Sequence, residues 1–252
     1  MTSSEAPVAR ICVIIPTYNN AGTVRQVVED VMAFCEDVIV VNDGCTDGTA
    51  DVLKTLPQKV TVVAYGSNRG KGHALVAGFR KAMDMGFTHA VTIDADGQHY
   101  ASDIPQLLGA MVANPRGIIV GSRNLTQENM PQQNTFANRF SNFWFRLQTG
   151  VRLPDTQSGY RLYTLSALRG MSLITSRYEA ELELLVFASW AGVEVTSVPV
   201  RVYYPPAEER VSHFRPGYDF FRISILNTVL CVGALVYGLP RRLGRTIKRA
   251  FR

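Results

Sequence analysis

Two carboxylates and an amide stand close together after an apolar segment near the middle of the chain. Asp94, Asp96 and Gln98 follow the run Ala90 to Ile93, which has the composition of a buried strand. If strand geometry continued through the motif, its period of two would put Asp94 and Asp96 on one side. Such oxygen donors suit Mg²⁺ or Mn²⁺ rather than zinc. The alternative is a surface turn, because Asp and Gly favour turns.

Two other polar clusters also follow predicted strands. Pro16-Thr17-Tyr18-Asn19 comes after the run Ile11 to Ile15, and Asn42-Asp43-Gly44 comes after Val38 to Val41. Ligands bind beyond the carboxyl ends of strands in parallel sheets. We therefore expect the three clusters to meet in one functional site.

The elements that must position these clusters alternate along the chain. Hydrophobic spacing predicts further strands over 60–64 and 117–121, with helices over 24–32, 50–56, 70–85, 102–112, 136–149 and 178–190. This rhythm predicts βαβ units and an α/β fold with a mostly parallel, twisted sheet flanked by helices. Residues 124–133 are polar and predict a loop.

Composition places the protein among globular chains and locates its positive charge. Hydrophobic residues make up 46% and charged residues 19% of the 252 positions, which fits a protein with a core. The net charge of +5 comes from the last twelve residues, which carry six basic residues and no acid. The body is near neutral, which argues against a nucleic-acid partner. The four cysteines lack metal-ligand spacing.

The C-terminal part of the chain differs in character from the rest. The segment Ile223 to Leu239 is largely apolar and has basic residues on both sides. We expect a helix lying in the membrane interface on the cytoplasmic side, with the tail on anionic lipid. A helix packed on the core is the alternative. The expected division is a leader over 1–9, a catalytic domain over 10–207 and a membrane-associating helix with a basic tail over 208–252.

Four motifs in order carry a resemblance to a known family. They are Ile14-Ile15-Pro16-Thr17-Tyr18-Asn19, Val41-Asn42-Asp43-Gly44-Cys45-Thr46-Asp47-Gly48-Thr49, Asn68-Arg69-Gly70-Lys71-Gly72 and Asp94-Ala95-Asp96-Gly97-Gln98-His99. In this order they resemble the family 2 glycosyltransferases with the GT-A fold. Gly121-Ser122-Arg123, Asn138-Arg139 and Ser158-Gly159-Tyr160-Arg161 are most similar to the branch that glycosylates polyprenyl phosphates, such as dolichyl-phosphate mannose synthases.

The resemblance implies an inverting, metal-dependent transfer of a sugar from a GDP- or UDP-sugar to a polyprenyl phosphate. It implies that Asp96 and Gln98 hold Mg²⁺ or Mn²⁺ on the donor diphosphate. The position of His99 directly after this motif predicts that it lies behind the metal ligands. The residues implied in donor binding are Pro16, Tyr18, Asn19, Asp43, Lys71 and Asp94.

Arginines are the residues expected to bind the acceptor. A phosphate acceptor is already anionic and needs no general base, but it needs positive groups that gather phosphates. By resemblance Arg123 and Arg139 act with Asp96 in catalysis. The residues expected at the acceptor phosphate are Arg123, Arg139, Arg161, Arg210 and His213.

Two other functions stay open from the sequence. A glycan or glycolipid hydroxyl as acceptor would need a base, for which Glu181 or Glu183 are candidates, although both could equally lie on a solvated helix face. A non-catalytic, membrane-bound module that binds sugar nucleotides is the alternative from another class. The intact set Asp94, Asp96 and Gln98 favours an enzyme.

Overall fold

A seven-stranded sheet forms the centre of the protein. The computed structural model describes residues 9–124, 132–204 and 216–250, and describes only the backbone of 132–136, 216–220 and 246–250. The strands are β1 (Ile11–Thr17), β2 (Val38–Asn42), β3 (Thr61–Ala64), β4 (His89–Thr92), β5 (Ile118–Arg123), β6 (Arg161–Thr164) and β7 (Val195–Val200). Their order is β3-β2-β1-β4-β6-β5-β7. All strands run in one direction except β6, which is antiparallel to β4 and β5.

Helices connect the strands and cover both faces of the sheet. They are α1 (Val24–Met32), α2 (Thr49–Lys54), α3 (Lys71–Asp84), α4 (Ile104–Ala113), α5 (Gln132–Thr149), α6 (Leu165–Leu168), α7 (Glu179–Ala191), α8 (Pro216–Gly233) and α9 (Leu239–Ala250). A 3₁₀ turn, Ala101–Asp103, precedes α4, and a π-helical segment, Ala234–Gly238, joins α8 to α9. Gly192 ends α7 with φ of 91°, a conformation that glycine adopts without strain.

The alternation of side chains along β1 separates the core into two apolar layers. Cys12 and Ile14 point into a layer shared with α3, α7 and α8, whereas Val13 and Ile15 point into a layer shared with α1 and α4. Both layers are closed to solvent, as expected for a parallel sheet with helices on both faces. The predicted α/β architecture is confirmed.

The antiparallel strand β6 brings a distant part of the chain to the functional edge of the sheet. Arg161 at the start of β6 pairs with Thr92 at the end of β4. The segment that precedes β6 therefore lies at the edge where β1, β2 and β4 end. Hydrophobic spacing along the chain does not predict this reversal of direction.

The C-terminal helices pack against the body of the protein along one side. Leu226, Leu230 and Ala234 are buried in the first apolar layer. The opposite side exposes apolar residues, which include Phe221, Ile225, Val229, Val232, Leu235, Val236, Tyr237 and Leu243. We call these eight residues the apolar face. The segment Phe221–Arg245 is long and apolar enough to cross a membrane, yet part of its surface is buried against the protein.

Polar contacts hold this helix to the body along its length. Gln148 Nε2 donates to Asn227 Oδ1 at 3.1 Å near its middle. Near its end, Arg242 donates to the Thr149 carbonyl at 3.2 Å, and Arg245 donates to the Trp190 carbonyl at 2.8 Å. Arg245 thus meets the C-terminal carbonyls of α7, where positive charge is favoured.

Candidate active site

A cavity of about 860 Å³ opens at the carboxyl edge of the parallel strands. One side, which we call the strand wall, is made of Pro16, Thr17, Tyr18, Asn20, Asp43, Asp94, Ala95, Asp96 and Gln98. The other side, which we call the helix wall, is made of Arg123, Ala137, Ser141, Thr156, Gln157, Tyr178, Glu179, Glu181, Leu182 and Ile223. Lys71 at the start of α3 also lines the cavity. The three polar clusters predicted to meet do meet here.

Asn19 ties the loops after β1 and β2 to each other. Its Oδ1 accepts a hydrogen bond from the backbone N–H of Thr46 at 2.8 Å. Its φ of 55° lies in the left-handed region, which Asn tolerates better than most residues. Among the described residues, Tyr18 lines the cavity and Asn19 does not. Asn19 therefore shapes the strand wall from behind and does not form its surface.

Asp43 fixes the loop that leads into α3. Its two carboxylate oxygens accept hydrogen bonds from the backbone N–H groups of Arg69 and Gly70, each at 2.8 Å. Gly70 has φ of 96°, and a Cβ there would lie 2.5 Å from the Ser176 carbonyl oxygen. Because α3 begins at Lys71, directly after Gly70, the hydrogen bonds to Asp43 also fix the position of Lys71.

The acidic motif forms a turn and not an extension of β4. The strand ends at Thr92, whose hydroxyl donates to the Gly159 carbonyl at 2.7 Å. Asp94 turns towards Lys71, while Asp96 Oδ1 accepts a hydrogen bond from the Gln98 backbone N–H at 3.0 Å. The motif therefore takes the turn that the sequence left open as the alternative to strand geometry, and both acids line the cavity.

Lys71 joins two carboxylates from different parts of the chain. Its Nζ lies 2.8 Å from Asp94 Oδ1 and 2.9 Å from Glu181 Oε2. Burial alone would raise the pKa of Asp94, but the adjacent ammonium outweighs burial and holds that pKa below its usual value. A Cβ at Gly159 would lie 2.7 Å from Lys71 Nζ. A side chain at this position would displace the ammonium or the carboxylates around it, since Asp94 Oδ2 lies 2.8 Å from the same point.

Asp96 lies where a cation would be favoured. Burial, and then repulsion from Asp94, raise its pKa to about 6. Among the described residues, no group of three or more His, Cys, Asp or Glu side chains could enclose a metal. One or two carboxylates with substrate phosphates are a usual set for Mg²⁺. The oxygen donors of Asp96 and Gln98 therefore fit a hard divalent cation shared with a diphosphate.

His99 lies behind the acids as a neutral imidazole. Burial lowers its pKa to about 4. Its ring centroid is 5.1 Å from that of Tyr160. The neutral ring adds no positive charge beside Asp94 and Asp96.

Arg123 at the end of β5 is held by Asp155. Its Nε and Nη2 donate to the two oxygens of that carboxylate at 2.6 and 3.0 Å, a bidentate pair. Burial alone would raise the pKa of Asp155, but the guanidinium outweighs it and lowers that pKa. Asn138 on α5 donates to the same carboxylate at 2.5 Å. The network presents Arg123 on the helix wall.

The structure contradicts the prediction that Arg161 binds the acceptor phosphate. It is fully buried, and its guanidinium donates to the carbonyls of Ser158, Thr156 and Glu181 at 2.7, 3.0 and 2.8 Å. A phosphate in the cavity cannot reach these donors. Arg161 instead links the segment before β6 to α7 and so holds the helix wall together.

The remaining predicted cations lie away from the cavity or outside the described part of the chain. Arg139 is exposed on α5 and is not among the described residues that line the cavity. Arg210 and His213 lie outside the described residues. Arg177, which the sequence analysis did not single out, is exposed and lines the cavity.

The two candidate bases on α7 are both buried, so they do not lie on a solvated helix face, the alternative that the sequence left open. Glu183 accepts hydrogen bonds from the backbone N–H groups of Ile174 and Thr175 at 2.5 and 2.9 Å and is committed to that loop. Glu181 faces the cavity and pairs with Lys71. Ile223 of α8 also reaches the helix wall, which no pattern in the sequence indicates.

Comparisons with known proteins agree with this geometry. The model of the family described as "Glycosyl transferase family 2" matches residues 12–170. The UDP-N-acetylglucosamine–dolichyl-phosphate N-acetylglucosaminyltransferase of Methanococcus voltae is 32% identical over 77% of this chain and 86% of its own length. The polyprenol monophosphomannose synthase of Mycolicibacterium smegmatis is 32% identical over 77% of each chain. The undecaprenyl-phosphate mannosyltransferase of Micrococcus luteus is 30% identical over 76% of this chain and 82% of its own.

A solved structure shares the fold at low identity. It is glucosyl-3-phosphoglycerate synthase from Mycobacterium tuberculosis in complex with Mn²⁺, UDP-glucose and phosphoglyceric acid. Its TM-score is 0.64 at 18% identity, and the alignment covers 90% of this chain and 80% of that one. At this identity the likeness concerns the fold alone.

Proposed function

Because the chain belongs to glycosyltransferase family 2, we propose that this glycosyltransferase moves a sugar from a nucleotide donor to a polyprenyl phosphate at a membrane surface. One observation carries the proposal. The helix that bears the apolar face also contributes Ile223 to the cavity. A lipid-linked phosphate could therefore enter the cavity while its chain stays in the bilayer. The named relatives that use dolichyl, polyprenol or undecaprenyl phosphate support this acceptor class.

The strand wall binds the donor in this proposal. Pro16, Tyr18 and Asp43 surround the nucleoside, at the strand ends where α/β folds place such ligands. Lys71 keeps Asp94 ionised and fixed beside the diphosphate. Asn19 contributes by holding the loop that carries Tyr18.

Asp96 and Gln98 would hold Mg²⁺ or Mn²⁺ together with the donor diphosphate. The ion, when bound, stabilises negative charge on the departing nucleoside diphosphate. The protein's own part is to keep the Asp96 carboxylate at the cavity surface through its bond to the Gln98 backbone. Mn²⁺ in the related fold supports this choice of ion.

Arg123 meets the acceptor phosphate on the helix wall. Asp155 holds its guanidinium in place, so the charge is positioned before the acceptor arrives. Arg139 is exposed on α5, which also supplies Ala137 and Ser141 to the wall, and it meets phosphate approaching from outside. The acceptor's own oxygen attacks the anomeric carbon on the face opposite the departing diphosphate, which inverts its configuration.

The acids of α7 favour an anionic acceptor over a hydroxyl. A hydroxyl nucleophile needs a base in the cavity. Both oxygens of Glu183 accept hydrogen bonds from backbone N–H groups, and Glu181 forms an ion pair with Lys71. A polyprenyl phosphate brings its own negative oxygen and needs neither residue as a base.

The C-terminal helix lies in the interface on the cytoplasmic side in this proposal. Arg242 and Arg245 hold its far end to the body, which opposes insertion across the bilayer. Phe143 and Leu147 of α5 are also exposed apolar residues. The basic C-terminal residues would contact anionic headgroups. The proposed division is a catalytic unit over 10–207 and a membrane-associating unit over 208–252.

Product analysis tests the proposed function. The purified chain is incubated with Mn²⁺, undecaprenyl phosphate in vesicles and, in turn, labelled UDP-N-acetylglucosamine, UDP-glucose or GDP-mannose. We expect label from one donor in an organic-soluble product that mild acid releases as free sugar. Asp96→Ala serves as the inactive control. Label only in protein, glycan or free sugar would reject the lipid phosphate as acceptor.

A further inference from the structure

Glu181 carries an oxygen atom that no described residue satisfies with a hydrogen bond. Its side chain is 8% exposed and lines the cavity. Oε2 is 2.9 Å from Lys71 Nζ, whereas Oε1 is buried and has no hydrogen-bond partner within the described residues. Buried carboxylate oxygens are nearly always paired in folded proteins. This atom therefore points to a hydrogen-bond donor supplied by a ligand.

The position of Oε1 indicates which part of a ligand it meets. Lys71 bridges Glu181 to Asp94, and Asp94 stands two residues before Asp96. The unpaired oxygen thus lies next to the group proposed to bind the donor diphosphate. Asp43 and Tyr18 line the part of the cavity assigned to the nucleoside, which leaves the sugar as the donor group nearest to Glu181.

The charge of Glu181 narrows the chemistry further. A carboxylate repels phosphate and gains nothing from an isoprenoid chain. It binds O–H and N–H groups well, because hydrogen bonds to ionised acceptors are stronger than neutral ones. The close approach of Gly159, where a Cβ would lie 3.1 Å from Oε1, keeps the site small. A single sugar hydroxyl or N-acetyl N–H fits these limits.

We propose that Glu181 Oε1 accepts a hydrogen bond from one substituent of the donor's sugar ring and thereby selects the sugar. The inference rests on the proposed function, since it assumes a sugar-nucleotide donor. Lys71 orients the carboxylate through the ion pair to Oε2, and Arg161 holds the α7 backbone through the Glu181 carbonyl. The residue is a sugar-binding group and not a base.

Donor affinities test the proposal without any acceptor. Titration calorimetry in the presence of Mn²⁺ first measures the Kd of UDP-N-acetylglucosamine, UDP-glucose and GDP-mannose. It then measures the Kd of the 2-, 3-, 4- and 6-deoxy analogues of the donor that binds most tightly. In the 2-deoxy analogue of an N-acetylated sugar, hydrogen replaces the acetamido group. We expect one analogue to bind wild type about 10- to 100-fold more weakly. In Glu181→Ala this analogue and its parent should bind equally, within about two-fold.

Two controls separate sugar recognition from a structural effect. Glu181→Ala should leave the Kd of the matching free nucleoside diphosphate unchanged, because that ligand has no sugar at the site. Glu181→Gln keeps an amide oxygen at this position but removes the negative charge, so the penalty for the same analogue should fall and yet stay above the two-fold limit expected for Glu181→Ala. If Glu181→Ala weakens nucleoside diphosphate and sugar nucleotide equally, or keeps every deoxy penalty, Glu181 does not bind the sugar. The acceptor experiment has a different readout, so either proposal can fail alone.

Discussion

The two walls of the cavity are built by different means. The strand wall comes from loops that follow β1, β2 and β4, and backbone hydrogen bonds fix it, as those to Asp43 show. The helix wall is assembled from β5, α5, α7, α8 and the segment before β6, and buried polar side chains fix it. We therefore expect substitutions on the strand wall to lower the rate of transfer, and several substitutions on the helix wall to lower the free energy of unfolding.

The largest expected effect comes from the strand wall. Asp96→Ala removes the cavity-lining carboxylate of the proposed metal site and should lower kcat/KM about 1,000-fold. The melting temperature should stay within a few degrees, because Asp96 makes only one local hydrogen bond to the Gln98 backbone among those described. Assays over a range of Mn²⁺ concentrations measure the loss. Near-normal turnover would show that Asp96 does not hold the metal, and would contradict the expected difference between the two walls.

Arg161→Met gives the next largest effect, on stability. It leaves buried carbonyls at Ser158, Thr156 and Glu181 without their donors and should lower the free energy of unfolding by about 3 kcal/mol or more. Urea unfolding measures the change, with the exposed Arg152→Met as the matched control. A stable Arg161→Met variant with a raised KM only for the acceptor would restore Arg161 as a phosphate ligand.

Membrane binding distinguishes the outside of the helix wall from the rest of the surface. Val232→Asp combined with Val236→Asp puts two charges on the apolar face and should weaken binding to anionic vesicles about 10- to 100-fold. Val112→Asp, at a 79% exposed position on α4, is the matched control. Flotation with vesicles measures binding. Equal binding by both variants would place the membrane contact elsewhere.

A smaller effect is expected from the acceptor ligand. Arg123→Lys keeps one positive charge but loses the bidentate pair with Asp155 and should raise the KM for undecaprenyl phosphate about 10-fold. The Kd of the donor should not change, because Arg123 is proposed to contact the acceptor phosphate and not the donor. Initial rates over both substrate concentrations separate these quantities. A change in the donor Kd with no change in the acceptor KM would mean that Arg123 binds the donor and not the acceptor.

The strand wall could be predicted from the sequence because each of its polar clusters directly follows a strand along the chain. Apolar runs mark strands, and the polar residues after them gather at the carboxyl edge of a parallel sheet, which identified Tyr18, Asp43, Asp94 and Asp96. Asn19 satisfied the same pattern yet turned to the neighbouring loop. Local spacing does not say which side chain of a loop reaches the cavity.

The helix wall could be predicted only in part, because it depends on long-range packing. Arg123 and Arg161 both stand in polar segments beside strands, but the reversed direction of β6 puts Arg161 beneath α7. The role of Glu181 depends on Lys71, 110 positions earlier in the chain. Neither relation leaves a periodic signal in the sequence.

Mass spectrometry of the complete reaction tests the central claim most directly. Purified protein, Mn²⁺, undecaprenyl phosphate and the donor that binds most tightly are incubated, and the lipid fraction is analysed. We predict a new species heavier than undecaprenyl phosphate by one sugar residue, in a phosphodiester linkage, with one nucleoside diphosphate released for each. Nucleoside diphosphate released without that species, or sugar joined to a hydroxyl acceptor instead, would contradict it.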